Sequence, residues 1–186
     1  MLIAMTGLHA SGKSYFAKNV PPKFGFKVID KKDIVKELCM EETNEKDYWK
    51  WYKTEYNNDP VLMTSKIISK IPLDENIVLD AVHSFKEWKI INSIVPDSII
   101  VVVTTPEIVR SNRWNEGDKE KDIERIKYWH SDYNGEQGCL LTQVSWSFNG
   151  AASIETNEMN FEELLNCMNI KNNIYGNAKV RKLVRK

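Results

Sequence analysis

The sequence is poor in the features that mark turn-rich, disulfide-bonded or membrane-spanning proteins. It has 8 glycines and 6 prolines among 186 residues, too few for a domain built from many tight turns, so an all-β fold is disfavoured. Its apolar runs are short: the run Ile99 to Val103 falls far below the roughly 20 residues that a membrane-spanning helix needs. We therefore expect no membrane-spanning segment, no secretory signal and no membrane partner.

The cysteine content and the net charge narrow the class of protein further. Cys39, Cys139 and Cys167 are odd in number and far apart, which fits neither a disulfide framework nor a zinc site, so we expect a cytoplasmic protein. The 26 basic and 26 acidic side chains cancel, so no overall field draws the chain to nucleic acid or to anionic lipid. The length predicts a single domain.

The balanced charge is unevenly distributed along the chain. Residues 170–186 hold six of the 26 basic side chains and no acidic one, which leaves 20 basic groups against 26 acidic groups elsewhere. We therefore predict a mildly acidic domain over residues 1–169 and a basic C-terminal tail over residues 170–186. The tail is expected to be solvated, with contact to nucleic acid as an open alternative.

Apolar runs and helix-start signals alternate along the sequence. Nearly continuous apolar runs, typical of strands buried on both faces, lie at Leu2 to Met5, Phe26 to Ile29, Ile77 to Leu79 and Ile99 to Val103. Helix starts lie at Asp59-Pro60, at a capping box of Ser84 and Glu87, at Thr105-Pro106 and at Asn160 with Glu163. This alternation predicts a doubly wound α/β sandwich with a parallel sheet.

One segment near the end of the predicted domain fits two interpretations. Val144, Trp146 and Phe148 alternate with polar residues, and Asn149-Gly150 is a strong hairpin-turn signal. Either an antiparallel hairpin lies at the sheet edge, or only Ala151 to Ile154 is a strand. We favour the second interpretation.

The strongest functional signal is the segment 7–14, Gly-Leu-His-Ala-Ser-Gly-Lys-Ser, which matches the phosphate-loop pattern G-x-x-x-x-G-K-[ST]. It follows an apolar strand and precedes a helix-compatible stretch, which is the context that this pattern requires and which disfavours a chance glycine-containing turn. In such a loop the backbone wraps phosphate oxygens, Lys13 bridges the β- and γ-phosphates and Ser14 ligates magnesium. The residues predicted to bind ATP are Gly7, His9, Ala10, Ser11, Gly12, Lys13, Ser14 and Tyr15.

Together with Lys32 to Lys36 and Asp80 to Ser84, this loop resembles the small P-loop kinases, the adenylate-kinase-like and dephospho-CoA-kinase-like proteins. The resemblance extends over about residues 1–169. It implies an α/β P-loop NTPase fold of nucleotide-kinase type, with a mostly parallel five-stranded sheet between helices, a helical acceptor-binding insert near residues 33–71 and a lid near residues 114–133. Lys32 and Lys36 stand where adenylate kinases carry a glycine and an arginine, so the phosphoryl acceptor stays open.

Acidic residues near predicted strand ends are candidates for the chemistry. Asp80 follows an apolar strand, where a carboxylate can hold magnesium directly or through water, or can cap a turn. Asp33 can accept a proton from an acceptor hydroxyl or contribute to a helix cap. Asp30 competes with Asp33 for the role of general base.

Two arginines and a set of aromatic residues complete the candidates. Arg110 and Arg113 are three residues apart on one helical face; in the resembling kinases, lid arginines approach the transferred phosphoryl group, and the alternative is a solvated face. Aromatic residues recur at helical spacing inside the predicted insert, at Tyr48, Trp51, Tyr52 and Tyr56. For these we favour packing against the body over stacking on a base.

The sequence therefore predicts an enzyme, a kinase that uses ATP and Mg2+ to phosphorylate a small acceptor such as a nucleotide, a nucleoside or a CoA precursor. The predicted catalytic residues are Lys13, Asp33, Asp80, Arg110 and Arg113, with Ser14 and Asp80 as magnesium ligands. Two alternatives stay open: a nucleotide-binding regulatory ATPase or switch without a small acceptor, and a kinase of nucleic-acid 5′-hydroxyl groups.

Overall fold

A parallel β-sheet forms the central layer of the structure. The computed structural model describes residues 1–43, 45–82, 85–103, 105–120, 122–124, 151–154 and 161–166. Its strands are β1 (Leu2–Gly7), β2 (Lys27–Asp30), β3 (Ile77–Asp80), β4 (Ile99–Val103) and β5 (Ala151–Ile154). They lie in the order β2-β3-β1-β4-β5, and each neighbouring pair is parallel. The predicted α/β class with a parallel sheet is confirmed.

Helices connect the strands. They are α1 (Lys13–Asn19), a 3₁₀ turn (Pro21–Phe24), α2 (Lys31–Glu42), α3 (Tyr48–Asn58), α4 (Pro60–Ser69), α5 (Phe85–Ile94) and α6 (Glu107–Ser111). Residues 118–120, 122–124 and 161–166 are also helical. None of the described helices combines the length and the apolar character that crossing a bilayer requires.

Helix starts follow the local sequence. The Asp59 side chain accepts a hydrogen bond from the Leu62 amide, and Pro60 occupies the first turn of α4, as predicted. Asp30 caps α2 in the same way, by accepting from the Lys32 amide. Asp30 therefore ends β2 and begins α2 with no intervening loop, which fixes its side chain at the edge of the sheet.

The sheet has an apolar layer on each face, as the period of two in a β-strand requires. Leu2 and Ala4 of β1 belong to one core cluster, with buried residues of α2, α3, α4 and α5. Ile3 and Met5 belong to the other cluster, with Phe16 of α1 and residues of the helical segment 161–166. The result is a three-layer α/β sandwich whose strands all end at one edge.

The predicted helical insert packs as three helices over one face of the sheet. Tyr52 and Tyr56 of α3 are buried in the core cluster that covers this face, and Tyr48 and Trp51 pack against it. Packing rather than an exposed stacking surface is thus the observed role of this aromatic set.

Glu87 has a buried ionic partner, Lys31, that its local sequence does not indicate. Its two carboxylate oxygens accept hydrogen bonds from the Lys31 ammonium at 2.8 and 2.9 Å, whereas the predicted capping partner, Ser84, lies outside the described residues. The predicted hairpin residues 144–150, half of the predicted lid (residues 121 and 125–133) and the basic tail 170–186 also lie outside them. The segment 151–154 is strand β5.

Candidate active site at the carboxyl edge of the sheet

The segment 7–14 connects β1 to α1 by a tight backbone path. Gly7 ends β1 where a Cβ atom would lie 2.6 Å from Ser11 Oγ and 2.8 Å from the Val103 carbonyl oxygen, so only glycine fits without displacement. Gly12 precedes α1 with φ 88° and Ala10 has φ 57°, both in the left-handed region. Left-handed residues reverse the chain direction over a few residues and bring backbone groups together in a concave turn.

An open cleft of about 400 Å³ lies against this segment at the carboxyl edge of the sheet. Six of the residues predicted to bind ATP line the cleft: His9, Ala10, Gly12, Lys13, Ser14 and Tyr15. The other two, Gly7 and Ser11, lie behind the lining, where Ser11 is 1% exposed. Ligand sites in open α/β sheets occur at this edge, outside the carboxyl ends of the strands.

Asp80 contributes a buried carboxylate to the same cleft. It ends β3, pairs in register with Met5 of β1, and is 2% exposed. Among the described residues, no group donates a hydrogen bond to its Oδ1 atom. A buried carboxylate oxygen without a donor is costly unless a cation or a proton compensates it. The next residue, Ala81, has φ 72°, a strained conformation of a kind that clusters at functional sites.

The structure separates the two candidates for the general base. Asp30 is the register partner of Asp80 on the neighbouring strand and lines the cleft. The Asp33 side chain is 75% exposed, lies 3.8 Å from the Lys36 ammonium and is not among the residues that line the cleft. Of the two, only Asp30 is brought to the lysine and the serine of the loop.

Arg110 and Arg113 contact the backbone of the loop. Nη1 of Arg110 donates to the His9 carbonyl oxygen at 3.0 Å, and Nη1 of Arg113 donates to the Ala10 carbonyl oxygen at 3.2 Å. Arg110 is 3% exposed, and neither arginine lines the cleft. Both therefore contact the loop backbone, a position that the helical spacing alone did not predict.

A buried charged cluster lies beneath Trp49 at the cleft wall. Lys31 is fully buried and bonds both oxygens of Glu87, and the Tyr52 hydroxyl donates to Oε1 of Glu87 at 3.3 Å. The Tyr52 ring is in edge contact with the Trp49 ring, with centroids 5.5 Å apart, and Trp49 lines the cleft. The cluster thereby joins the beginnings of α2 and α5 to α3 beneath the cleft wall.

The sequence did not single out three residues that line the cleft. They are Lys32, Trp49 and Ala81. The predicted aromatic set does not include Trp49, although Trp49 lies three residues before Tyr52 and its ring contacts the Tyr52 ring. The half-buried Trp49 ring shows that the start of α3, not its middle, borders the cleft. Lys32 was noted only as a replacement in the resemblance, although its position directly after a strand that ends in Asp30 was a usable signal.

Comparison with known proteins adds no identification. No protein-family model matches the chain, and no curated protein matches it.

Proposed function

We propose that the protein is a P-loop kinase that transfers the γ-phosphoryl group of ATP to a small acceptor. The observation that carries the proposal is the cleft that Lys13 and Ser14 of the loop line together with Asp80, whose buried Oδ1 has no hydrogen-bond donor among the described residues. A glycine-lysine loop suits a polyphosphate, and a buried carboxylate beside it suits the cation that accompanies a polyphosphate. The fold that we propose is accordingly the P-loop NTPase fold of nucleotide-kinase type.

Lys13 and the loop amides are assigned to the nucleoside triphosphate. Lys13 begins α1 directly after the left-handed Gly12. Gly12 has no side chain, so it does not cap the first amides of this helix. The Lys13 ammonium group would neutralise negative charge on the β- and γ-phosphates. This charge increases as the phosphoryl group is transferred. The role of Lys13 is therefore expected to be larger in the transition state than in the ground state.

Ser14 and Asp80 are assigned to magnesium. Both line the cleft, and the donor-free Oδ1 of Asp80 fits a cation better than it fits any neutral partner. Mg2+ prefers oxygen ligands and is commonly held by one or two protein groups, with phosphate and water oxygens as the remaining ligands. When bound, magnesium would neutralise negative charge on the β- and γ-phosphates.

Asp30 is assigned to the acceptor in place of Asp33. Its side chain lies at the cleft beside Lys32, whereas Asp33 faces solvent. A carboxylate there can accept the proton of an acceptor hydroxyl, or hold that hydroxyl in line, once the acceptor lies between Asp30 and the loop. The half-buried Trp49 ring provides an apolar wall for the acceptor.

Ligand binding and phosphoryl transfer test the proposal in sequence. Magnesium and ATP at about 100 times Kd should stabilise the protein by about 2.7 kcal/mol, a rise in Tm of roughly 5 to 11 °C for this length. ADP release is then measured with nucleoside monophosphates, nucleosides, dephospho-CoA and 5′-hydroxyl oligonucleotides. No rise in Tm at millimolar magnesium-ATP would contradict the proposal, and ADP release that no acceptor accelerates would favour a regulatory ATPase.

A matched pair of lysine variants separates the loop from the helix that follows it. Lys13→Ala should lower turnover by about 10² to 10³, the loss typical of one preorganised charged donor. Lys18→Ala removes the same charge from an exposed position of α1 and should leave turnover unchanged. Equal turnover in both variants would show that the loop is not the site of the chemistry.

A further inference from the structure

Side chains of the segment 105–113 donate hydrogen bonds to the backbone carbonyls of the loop. Three successive carbonyl oxygens, those of His9, Ala10 and Ser11, each accept a hydrogen bond from a side chain between residues 105 and 113. The donor to Ser11 is Thr105 Oγ1 at 2.8 Å, and the donors to His9 and Ala10 are Arg110 and Arg113. This segment follows β4, so it reaches the loop across the sheet edge.

These contacts determine which way the loop peptides face. The peptide bonds are trans, so an N–H points away from the C=O of the same peptide group. The amides of Ala10 and Gly12 therefore point away from Arg110 and Thr105. Ala10 and Gly12 line the cleft, and Thr105, Arg110 and Arg113 do not. The amide of Ser11 is used inside the loop, where it donates to the Leu8 carbonyl oxygen at 3.2 Å.

Arg110 is itself fixed by a second contact. The nitrogen that donates to His9 also donates to Asp122 Oδ1 at 2.7 Å, and both side chains are 4% exposed. A further contact joins the same regions, because His9 Nε2 lies 3.3 Å from Asp118 Oδ1. The helical residues 118–120 and 122–124 are thereby tied to the loop through Asp118 and Asp122, which are buried.

We propose that Thr105 and the Arg110–Asp122 pair are positioning residues that hold the loop amides toward the phosphates. Without them the peptide groups of residues 9–12 would be free to turn, and the cleft would lose donors to an anion. This inference rests on the proposed function. It assigns Arg110 to the binding of ATP, the phosphoryl donor, and not to contact with the transferred phosphoryl group. It also makes triphosphate affinity depend on the position of residues 118–120 and 122–124.

Thr105→Val is the first test, because valine keeps the shape of threonine and removes only the hydroxyl. We expect the affinity for inorganic tripolyphosphate and for magnesium-ATP, measured by calorimetry, to fall about fivefold, the usual effect of one lost hydrogen bond. Thr105→Ser restores the donor and should restore the affinity. Ser111→Ala is the matched control, because the Ser111 hydroxyl donates to Ile108 within α6 and does not contact the loop.

The buried pair is tested by removing both charges together. Arg110→Met combined with Asp122→Leu leaves no unpaired buried charge, and it should weaken tripolyphosphate binding about tenfold or more with little change in KM for the acceptor. If this double variant does not fold, the Thr105 series decides alone. Unchanged tripolyphosphate affinity in the folded Thr105→Val protein would overturn the inference, as would an equal loss in Ser111→Ala. Failure of the unmodified protein to bind either ligand would instead refute the proposed function.

Discussion

The buried ion pair between Lys31 and Glu87 gives the sharpest prediction for the stability of this fold. Lys31 has no exposed surface and Glu87 is 2% exposed, so both charges are removed from water. The perturbation is Glu87→Gln, which keeps the size of the side chain and an acceptor for the Tyr52 hydroxyl. It removes only the negative charge that lies 2.8 Å from the Lys31 ammonium.

The expected loss follows from the cost of an uncompensated buried charge. Removing one partner of a buried pair typically costs about 3 to 5 kcal/mol, because the remaining ion stays desolvated without its counter-ion. For a chain of this length each kcal/mol changes Tm by about 2 to 4 °C, so we expect Tm to fall by roughly 6 to 20 °C. Urea unfolding should show the same loss as a lower midpoint with an unchanged slope.

A second glutamate provides the matched control. Glu41 also accepts from a lysine, Lys70, at 2.8 Å, but its side chain is 50% exposed. An exposed pair contributes about 0 to 1 kcal/mol, since water and salt screen it, so Glu41→Gln should change Tm by at most a few degrees. The two variants make the same chemical change at the same distance, but Glu41 is exposed and its partner Lys70 keeps a second bond, to Glu37 at 2.8 Å.

A compensating variant identifies the cause of the loss. Lys31→Met combined with Glu87→Gln removes both charges and should recover most of the stability that Glu87→Gln alone loses. Equal, small losses for Glu87→Gln and Glu41→Gln would refute the reasoning from burial. A double variant less stable than Glu87→Gln alone would show that Lys31 stabilises the fold through something other than this pair.

Three further predictions address the cleft and the core. Asp80→Asn should raise the magnesium concentration needed for half-maximal ATP turnover and should change stability little. Superimposable magnesium titrations of the variant and the unmodified protein would show that Asp80 has only a structural role. Gly7→Ala should cost about 1 to 3 kcal/mol in urea unfolding and weaken ATP binding, because the added Cβ meets Ser11 and the Val103 carbonyl; unaltered values would contradict the tight approach. Burial raises the pKa of the Cys39 thiol, so alkylation followed by peptide mass spectrometry at pH 8.5 should be slow in native protein and fast in urea. Because the unfolded thiol ionises first, the free energy of unfolding that Cys39 contributes should decline as pH rises above about 8.5.

Many bounds of the strands and helices were predictable, because the signals for them lie in neighbouring residues. The strand Ile99–Val103 begins and ends where its apolar run does, and α4 begins at the Asp59-Pro60 cap. Buried strands require continuous apolar runs, and a helix start requires a cap for its free amides, so both leave signals within a few neighbouring residues. The segment 7–14 is predictable for the same reason, because its pattern fixes the local turn and the start of α1.

The partners of charged side chains were not predictable in this way. Glu87 pairs with Lys31, which is 56 residues away, and no local pattern around Glu87 indicates that partner. Arg110 and Arg113 fit a solvated face or a lid, yet each donates to a loop carbonyl about 100 residues away. Long charged side chains bond to the groups that the fold brings near them. Residue spacing along one helix does not indicate which distant groups those are.

The sequence by itself determined the alternation of strands and helices, the loop of residues 7–14 and the chemistry that this loop can offer a phosphate. Only the tertiary structure decided that Asp30 and not Asp33 joins Asp80 at the cleft, and that Trp49 forms part of its wall. The physical reason is that parallel strands bring their carboxyl ends together in register, so Asp30 and Asp80 become neighbours although 50 residues separate them. Asp33 follows in the first turn of α2, beyond the strand end, and its side chain is exposed and does not line the cleft.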